Sequence, residues 1–392
     1  MNDTPSSPTY NFPAYNYPHT HTYTITLTNK QKMAAQEPPQ QKYHHITATN
    51  ATAFVQTLLE KNNIPAPHAQ TITHALIQAD LRGVDTHGIN RLPSYLERLR
   101  RGTLNGTATP TITQTTPVVT HIDGQNGFGF VAAQAGMQAA IDSAQTYGIG
   151  LASVKRSNHF GMSAWLVQQA LDGGMMSLVF TNSSPALPAW GGREKLLGVS
   201  PIACGAPAGA EPAFILDMAP SVAARGKIYR AARRGEEIPG DWALDGEGRR
   251  TTDARAALEG VMLPMGGPKG SGLAIMMDVF SGVLSGSAFA GNVVGPYDSE
   301  NAREADVGHF LVAIRPDLFM GLEEFKERMD YLYRRVVGGE RMEGVERIYY
   351  PGEIELIERE RRLREGIPFV EGEIEALNRE ADRVDAPRLV VG

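Results

Sequence analysis

The chain has 392 residues, enough for two domains or for one large α/β domain with an insertion. Its formal net charge of −6 excludes the basic face that nucleic acid or an anionic membrane requires, so neither is expected as a partner. Hydrophobic residues make up 42%, enough for a full core, and a single cysteine, Cys204, excludes an intrachain disulfide and a zinc cluster. One cysteine also fits a reducing compartment, and a cytoplasmic location is expected.

Residues 1–45 are expected to form a disordered tail. Up to Gln41 the composition is rich in Thr, Pro, Tyr, Asn and Gln with little aliphatic periodicity, so no core can form there. The tail has no apolar h-region and no arginine before the fold, which argues against a secretory signal or mitochondrial presequence, and Met33 is an alternative start.

The fold is expected to begin near Ile46. A helix capped by Asn50 or Thr52 and running through Lys61 places Phe54, Leu58 and Leu59 on one face. A second helix, Pro67 to Leu81, carries Ile72, Ala75, Leu76 and Ala79 at helical spacing, and a third runs from Leu92 to Arg101. From Thr113 the period changes. Val118 to Ile122 predicts a strand, Asp123 to Gly127 a turn, and Phe130 to Tyr147 a small-residue helix. Strands are predicted over Gly150 to Val154 and Met176 to Thr181, flanking a helix from Ser163 to Asp172. A strand over Ala213 to Asp217 leads into a helix over Ser221 to Arg234. The apolar run Gly272 to Leu284 is interrupted by Asp278 and two glycines, too broken to span a bilayer, and predicts a buried helix. Beyond Pro316 three charge-dense helices are expected: Gly321 to Val337, Glu353 to Glu365 and Gly372 to Asp385. The alternation gives the class as α/β. The expected organisation is an α/β domain, 116–315, inserted between helical segments 46–115 and 316–392 that pack together.

His87 and Arg91 lie four apart in Asp85-Thr86-His87-Gly88-Ile89-Asn90-Arg91, so on a helical turn they project to one side. A histidine can give or take a carbonyl or hydroxyl proton, and an arginine can hold a carboxylate through its bidentate fork. On spacing alone a capping histidine and a surface arginine are the better fit. His159, in Arg156-Ser157-Asn158-His159-Phe160-Gly161, follows a predicted strand, where α/β proteins place ligands. It is a second acid/base candidate.

No dinucleotide fingerprint is present: Gly124, Gly127 and Gly129 have the wrong spacing and no acidic residue follows at the usual distance. Gly266-Gly267-Pro268-Lys269-Gly270-Ser271-Gly272 precedes an apolar helix, a setting in which backbone amides and Lys269 hold phosphate; a flexible turn with a solvated lysine fits the same residues. Ser183 in Asn182–Pro185, the run Asp217-Met218-Ala219-Pro220-Ser221, and the turn Tyr350-Pro351-Gly352-Glu353 each close a predicted strand or open a helix. No His/Asp/Glu cluster has metal-ligand spacing, so no metal is expected, and there is no nucleophile elbow.

In this order the motifs resemble the malate/L-lactate dehydrogenase family of the sulfolactate-dehydrogenase type. The matching residues are Ala79 to Tyr95, Ser157 to Gly161, Ser200 to Ala203, Leu216 to Ala219, Gly266 to Gly270 and Tyr350 to Gly352, covering the chain from Ile46 to its end. The resemblance implies a non-Rossmann nicotinamide-binding α/β domain, a helical domain built from both chain ends, a homodimer, and NAD or NADP as cofactor. It implies that His87 is the catalytic acid/base and Arg91 the carboxylate ligand. His159 matches a histidine that is the proton acceptor in some members, so the two compete; Arg91 beside His87 favours His87. It implies cofactor contacts at Ser183, Asp217, Met218, Ala219, Pro220, Ser221, Val222, Ala223, Pro268, Lys269, Gly352 and Glu353. Thr86 stands where the family usually has serine; its hydroxyl still reaches a substrate oxygen, and its methyl narrows the pocket. Cys204 is expected in the core. The expected activity is hydride transfer between nicotinamide and the 2-carbon of a small 2-hydroxy or 2-oxo acid of malate or lactate type. The alternatives are reduction of a cyclic imino carboxylate, a ureidoglycolate-type dehydrogenase and, more remotely, a non-redox nucleotide-binding protein.

Overall fold

The computed structural model describes residues 42–295 and 303–390. The expected tail lies, up to residue 41, outside the described residues. Strand β1 (Tyr43–Ile46) comes slightly earlier than the expected start, because its partner is more than 320 residues away and its only buried side chain is Ile46. Helix α1 (Ala48–Lys61) is capped by Thr47, whose hydroxyl accepts from Asn50 N–H, one turn before the expected caps. Then come α2 (Ala66–Leu81), two 3₁₀ turns (Asp85–His87 and Ile89–Arg91) and α3 (Leu92–Arg100).

The α/β segment contains β2 (Thr111–Thr116), β3 (Val119–Asp123), α4 (Gly129–Tyr147), β4 (Ile149–Ser157), α5 (Ala164–Asp172) and β5 (Met176–Thr181). It continues through β6 (Pro185–Leu187), β7 (Leu197–Gly198), β8 (Ile202–Ala206), β9 (Phe214–Met218), α6 (Arg225–Arg234), β10 (Ala243–Leu244), α7 (Ala254–Glu259), β11 (Val261–Met262) and α8 (Pro268–Met277). A π-helical turn (Asp278–Val283) prolongs α8 before β12 (Val307–Ile314). A 3₁₀ turn (Pro316–Leu318), α9 (Leu322–Val337), α10 (Glu353–Glu365), β13 (Ile367–Val370) and α11 (Glu371–Arg383) complete the described chain. The fold is α/β, as expected. Helix α6 starts later than predicted, because residues 219–224 run as a bend and bridge beside Leu263 and Pro264.

The main sheet has seven strands in the order β2-β3-β4-β12-β5-β8-β9. Only β3 and β4 pair in parallel, joined by the crossover helix α4; every other neighbour is antiparallel. Close approach of α4 explains its small residues. A Cβ on Gly136 would stand 2.7 Å from Leu311, and one on Gly150 would stand 2.0 Å from the Ala140 carbonyl.

One continuous core runs from the N-terminal helices (Leu58, Leu76, Leu96) through the sheet (Val154, Val179, Leu311) to the C-terminal segment (Phe369, Leu377). Strands β1 and β13 pair antiparallel, and Arg100 on α3 binds Glu380 on α11 at 2.6 Å, so the first and last described elements meet. A second core, around Leu187, Ile228 and Met262, sits under α6, α7 and the short strands.

The helix expected to be buried at Gly272 to Leu284 is buried on one face, with Ala274, Met277 and Ser281 inaccessible, and open on the other. Ile275, Val279 and Val283, spaced by four, are 45%, 47% and 53% exposed, because no other part of the described chain covers that face. Cys204, expected in the core, is half-buried on β8, and burial pushes its thiol pKa up. Among the described residues no helix is long and apolar enough to cross a membrane.

The seat of α4 on β4 is testable. Replacing Gly150 by Ala should destabilise the protein by roughly 1–3 kcal/mol through overpacking. Urea unfolding would measure it, and an unchanged midpoint would show that α4 is not held this close.

Candidate active site

Two segments converge on the site. The first is the double 3₁₀ turn Asp85–Arg91, too short and too rich in Asp, Thr, Asn and Gly to form a longer helix. The buried Asp80, at the end of α2, accepts the Ile89 N–H at 2.9 Å, and burial pushes its carboxyl pKa well up. Gly88 is required there: a Cβ would stand 1.6 Å from Asp80 Oδ1. The second segment is the β4–α5 connection. The Asn158 amide donates to the Asn126 and Gly127 carbonyls at 3.2 and 2.8 Å, and Trp165 Nε1–H donates to the Phe160 carbonyl at 3.0 Å.

These anchors bring His87 and His159 together, rings stacked at 5.4 Å between centroids and 25° between planes. Burial first, then the Arg91 charge, lowers the His87 pKa to about 4. The same causes, with smaller effects of His87 and His309, hold His159 well below its ordinary value. Both imidazoles are therefore neutral at pH 7.

Their hydrogen bonds differ. His159 Nδ1 lies 2.7 Å from the Tyr95 hydroxyl and accepts the Gly161 N–H at 3.2 Å. A backbone N–H can only donate, so Nδ1 keeps its lone pair and the neutral ring carries its proton on Nε2. His87 Nδ1 lies 3.0 Å from the Thr86 hydroxyl, which both donates and accepts, so His87 is free to change protonation state. Arg91 Nε donates to the Thr86 carbonyl at 2.6 Å, tying the arginine back to the same turn. Thr86 also faces α6: a Cβ on Gly226 would stand 3.6 Å from its methyl.

The expected cofactor residues fall into three groups. Asp217 to Ala223 runs beside the Lys269 loop: Met265 N–H donates to the Pro220 carbonyl, Val222 N–H to the Leu263 carbonyl, and Ser221 bridges to Pro264. Gly266 and Gly267 adopt left-handed φ of +58° and +61°, leaving Pro268 to open α8 and Lys269 exposed at its first turn, with the Trp190 ring over Gly267. Asp217 itself turns toward α5, where its carboxylate accepts the Ala164 N–H at 2.8 Å; dense surroundings push its pKa up to about 6. Gly352, at φ +91°, stands against Ile215 of β9, whose N–H donates to the Pro351 carbonyl. Ser183 stands apart from both, accepting the Ser200 N–H at 3.2 Å.

Glu353 is buried, and its carboxylate binds Arg347, the Tyr333 hydroxyl at 2.8 Å and the Tyr350 N–H at 3.0 Å. That side chain closes its own turn. Sequence reasoning missed Tyr95, although it lies four residues after Arg91, the same spacing that singled out His87 and Arg91. It also missed His309 on β12, which lies fully buried between the Thr181 and Ser157 hydroxyls, each at 2.8 Å, with its ring 4.7 Å from Phe160. Burial lowers its pKa to about 3.

The chain is similar in sequence and fold to several known proteins. Malate dehydrogenase of Pyrococcus abyssi is 36% identical over 359 residues, 90% of this chain and 98% of that protein. L-sulfolactate dehydrogenase of Methanocaldococcus jannaschii is 38% identical over 306 residues, 78% of this chain and 88% of that protein. The solved structure of sulfolactate dehydrogenase from that organism superposes with a TM-score of 0.82 at 34% identity, covering 87% of this chain and 98% of that one. The family described as malate/L-lactate dehydrogenase matches residues 46–378, and the chain belongs to that family.

Proposed function

We propose that the protein interconverts a small 2-hydroxy acid and its 2-oxo acid with NAD or NADP, malate and sulfolactate being the first substrates to test. The same reading assigns substrate binding mainly to the helical segments 46–115 and 316–392 and cofactor binding mainly to 116–315.

The observation that carries the proton assignment is the contrast between the two Nδ1 atoms. Forming a cation on His159 would put a second N–H against the Gly161 N–H. The same change on His87 meets the Thr86 hydroxyl, which accepts it. His87 is therefore the proton carrier, and His159 a fixed donor through Nε2–H to the substrate oxygen. Arg91, one turn on from His87, holds the substrate carboxylate and orients the 2-carbon.

The Lys269 loop suits a dinucleotide phosphate, with an exposed ammonium beside the N-terminus of α8 and two left-handed glycines in place of side chains. The nicotinamide supplies or receives the hydride. Met218 to Ala223 and Gly352 contribute mainly backbone, Ser183 its hydroxyl, while Asp217 and Glu353 shape their turns through the bonds already described.

His87→Ala should lower turnover roughly 10²- to 10⁴-fold while cofactor affinity stays unchanged. For oxidation of the hydroxy acid the active form is neutral His87, present above its pKa. Kcat/KM should thus hold on the acid side until about pH 4 and fall below it. Turnover that survives in His87→Ala and vanishes in His159→Ala would reverse the assignment. A panel of 2-oxo acids and cyclic imines with NADH and NADPH selects the substrate and cofactor.

Lys269→Ala should raise the cofactor KM about 10- to 100-fold, the loss of one charge-assisted contact, with substrate KM little changed. Unaltered cofactor affinity would remove the loop from the site.

The homodimer rests on the uncovered stripe Ile275, Val279 and Val283, prolonged by Leu284 at 59% and Phe289 at 45% exposure. It carries no charge and is suited to a second copy of itself about a two-fold axis. Val279→Glu should convert a dimer to a monomer in light scattering; a monomeric wild type would end this reading.

A further inference from the structure

The turn bearing Thr86, His87 and Arg91 has no side-chain cap of its own. Much of what holds it comes from the other end of the chain. Arg362, on α10, is 6% exposed and donates from Nη1 to the Asp80 carbonyl at 2.6 Å and to the Asp85 carboxylate. Its Nη2 reaches Asp85 Oδ2 at 3.3 Å and its Nε reaches Glu358 Oε1 at 2.5 Å. Helix α10 presses close: a Cβ on Gly83 would stand 2.9 Å from Glu358. One planar guanidinium thus spans the end of α2, the first residue of the turn and its own helix, a geometry that the point charge of a lysine does not reproduce.

We propose that Arg362 is a positioning residue for the active site, acting through Asp85 and the Asp80 carbonyl to set where the His87 imidazole and the Arg91 fork stand. Arg362 touches neither imidazole nor, by this reading, substrate. It converts the packing of α10 into the placement of a turn that is otherwise six residues of 3₁₀ backbone and a glycine. The inference rests on His87 being the proton carrier for its kinetic consequence, but its geometric content does not. Around His87 stand Arg91 on its own turn and His159 from the β4–α5 connection, while the start of α6 meets the neighbouring Thr86 at Gly226. The two nearby carboxylates, Asp80 and Asp85, are engaged by the Ile89 N–H and by Arg362.

The test compares Asp85→Asn, Arg362→Lys and Arg362→Gln on the full-length protein, by steady-state kinetics and by NMR titration of the histidine rings, with His87→Gln assigning the signal. Asp85 is half exposed, so Asp85→Asn keeps the fold if Arg362→Gln does not. Expected are a fall in kcat of roughly 10-fold for Asp85→Asn and roughly 100-fold for Arg362→Gln, the scale of a small misplacement. Arg362→Lys should restore part of the loss, and cofactor KM should stay put. The His87 titration should rise from about 4 toward the ordinary value of ~6.5 as the loosened turn admits water. Wild-type kcat and an unmoved His87 titration in all three variants, with only a lowered melting temperature, would overturn the proposal and leave Arg362 a structural staple. A moved titration with unchanged kcat would uphold the positioning and instead remove His87 from proton transfer.

Discussion

The Gly161 N–H donates to His159 Nδ1 over 3.2 Å, and the division of labour proposed for the two histidines follows from that bond. Without it the two stacked imidazoles would be near equivalents, each partly buried and each close to the Arg91 charge. With it, one ring is held as a donor and the other keeps access to both protonation states. The bond depends on Gly161 at φ +82°, a conformation that suits a residue without a Cβ, and on Phe130, whose ring would stand 2.8 Å from any Cβ there.

Desolvation does the remaining electrostatic work. Three histidines, His87, His159 and His309, lie within one region and all are held below the ordinary imidazole range. In a region where burial keeps the rings neutral, charge–charge interactions are weakly screened. In the proposed mechanism a carboxylate bound at Arg91 would offset the Arg91 field at His87 and raise its affinity for a proton. That is the direction the proposed reduction needs, in which the empty site would favour the base and the substrate-loaded site the acid.

Much of the fold was legible, for identifiable reasons. The first two helices and α9 to α11 follow from period and charge, and β3, β4 and β5 from short apolar runs between turns. Strand β12 was missed. Its sequence, Val307 to Ile314, is nearly unbroken apolar residues covered on both faces, and such a run has no alternation to separate strand from helix. That omission also hid His309, since a lone histidine in an unassigned segment has no context. Strands β1 and β13 were invisible for another reason: each is four residues long and defined only by its partner at the far end of the chain. The exposed stripe on α8 was mistaken for core because hydropathy reports that a face is apolar and not what covers it.

Within the site, the residues that carry a local motif were the legible ones: Thr86, His87, Arg91, His159 and Lys269 are all marked by spacing or by neighbouring glycines. The groups that place them are non-local. Arg362 lies 277 residues from Asp85 and Tyr95 lies 64 from His159. A helix with two adjacent arginines, Arg361 and Arg362, gives no local hint that one binds surface glutamates while the other is buried under the site. The physical asymmetry is general. Groups that meet substrate must be exposed at a turn and so leave a mark in local sequence, whereas groups that fix the turn need only reach it through space. Here the reaching group comes from the opposite chain terminus, which ties the active turn to the closure of the fold itself: with β13 unpaired from β1 and α11 released from α3, α10 would no longer be held against the turn that Arg362 supports.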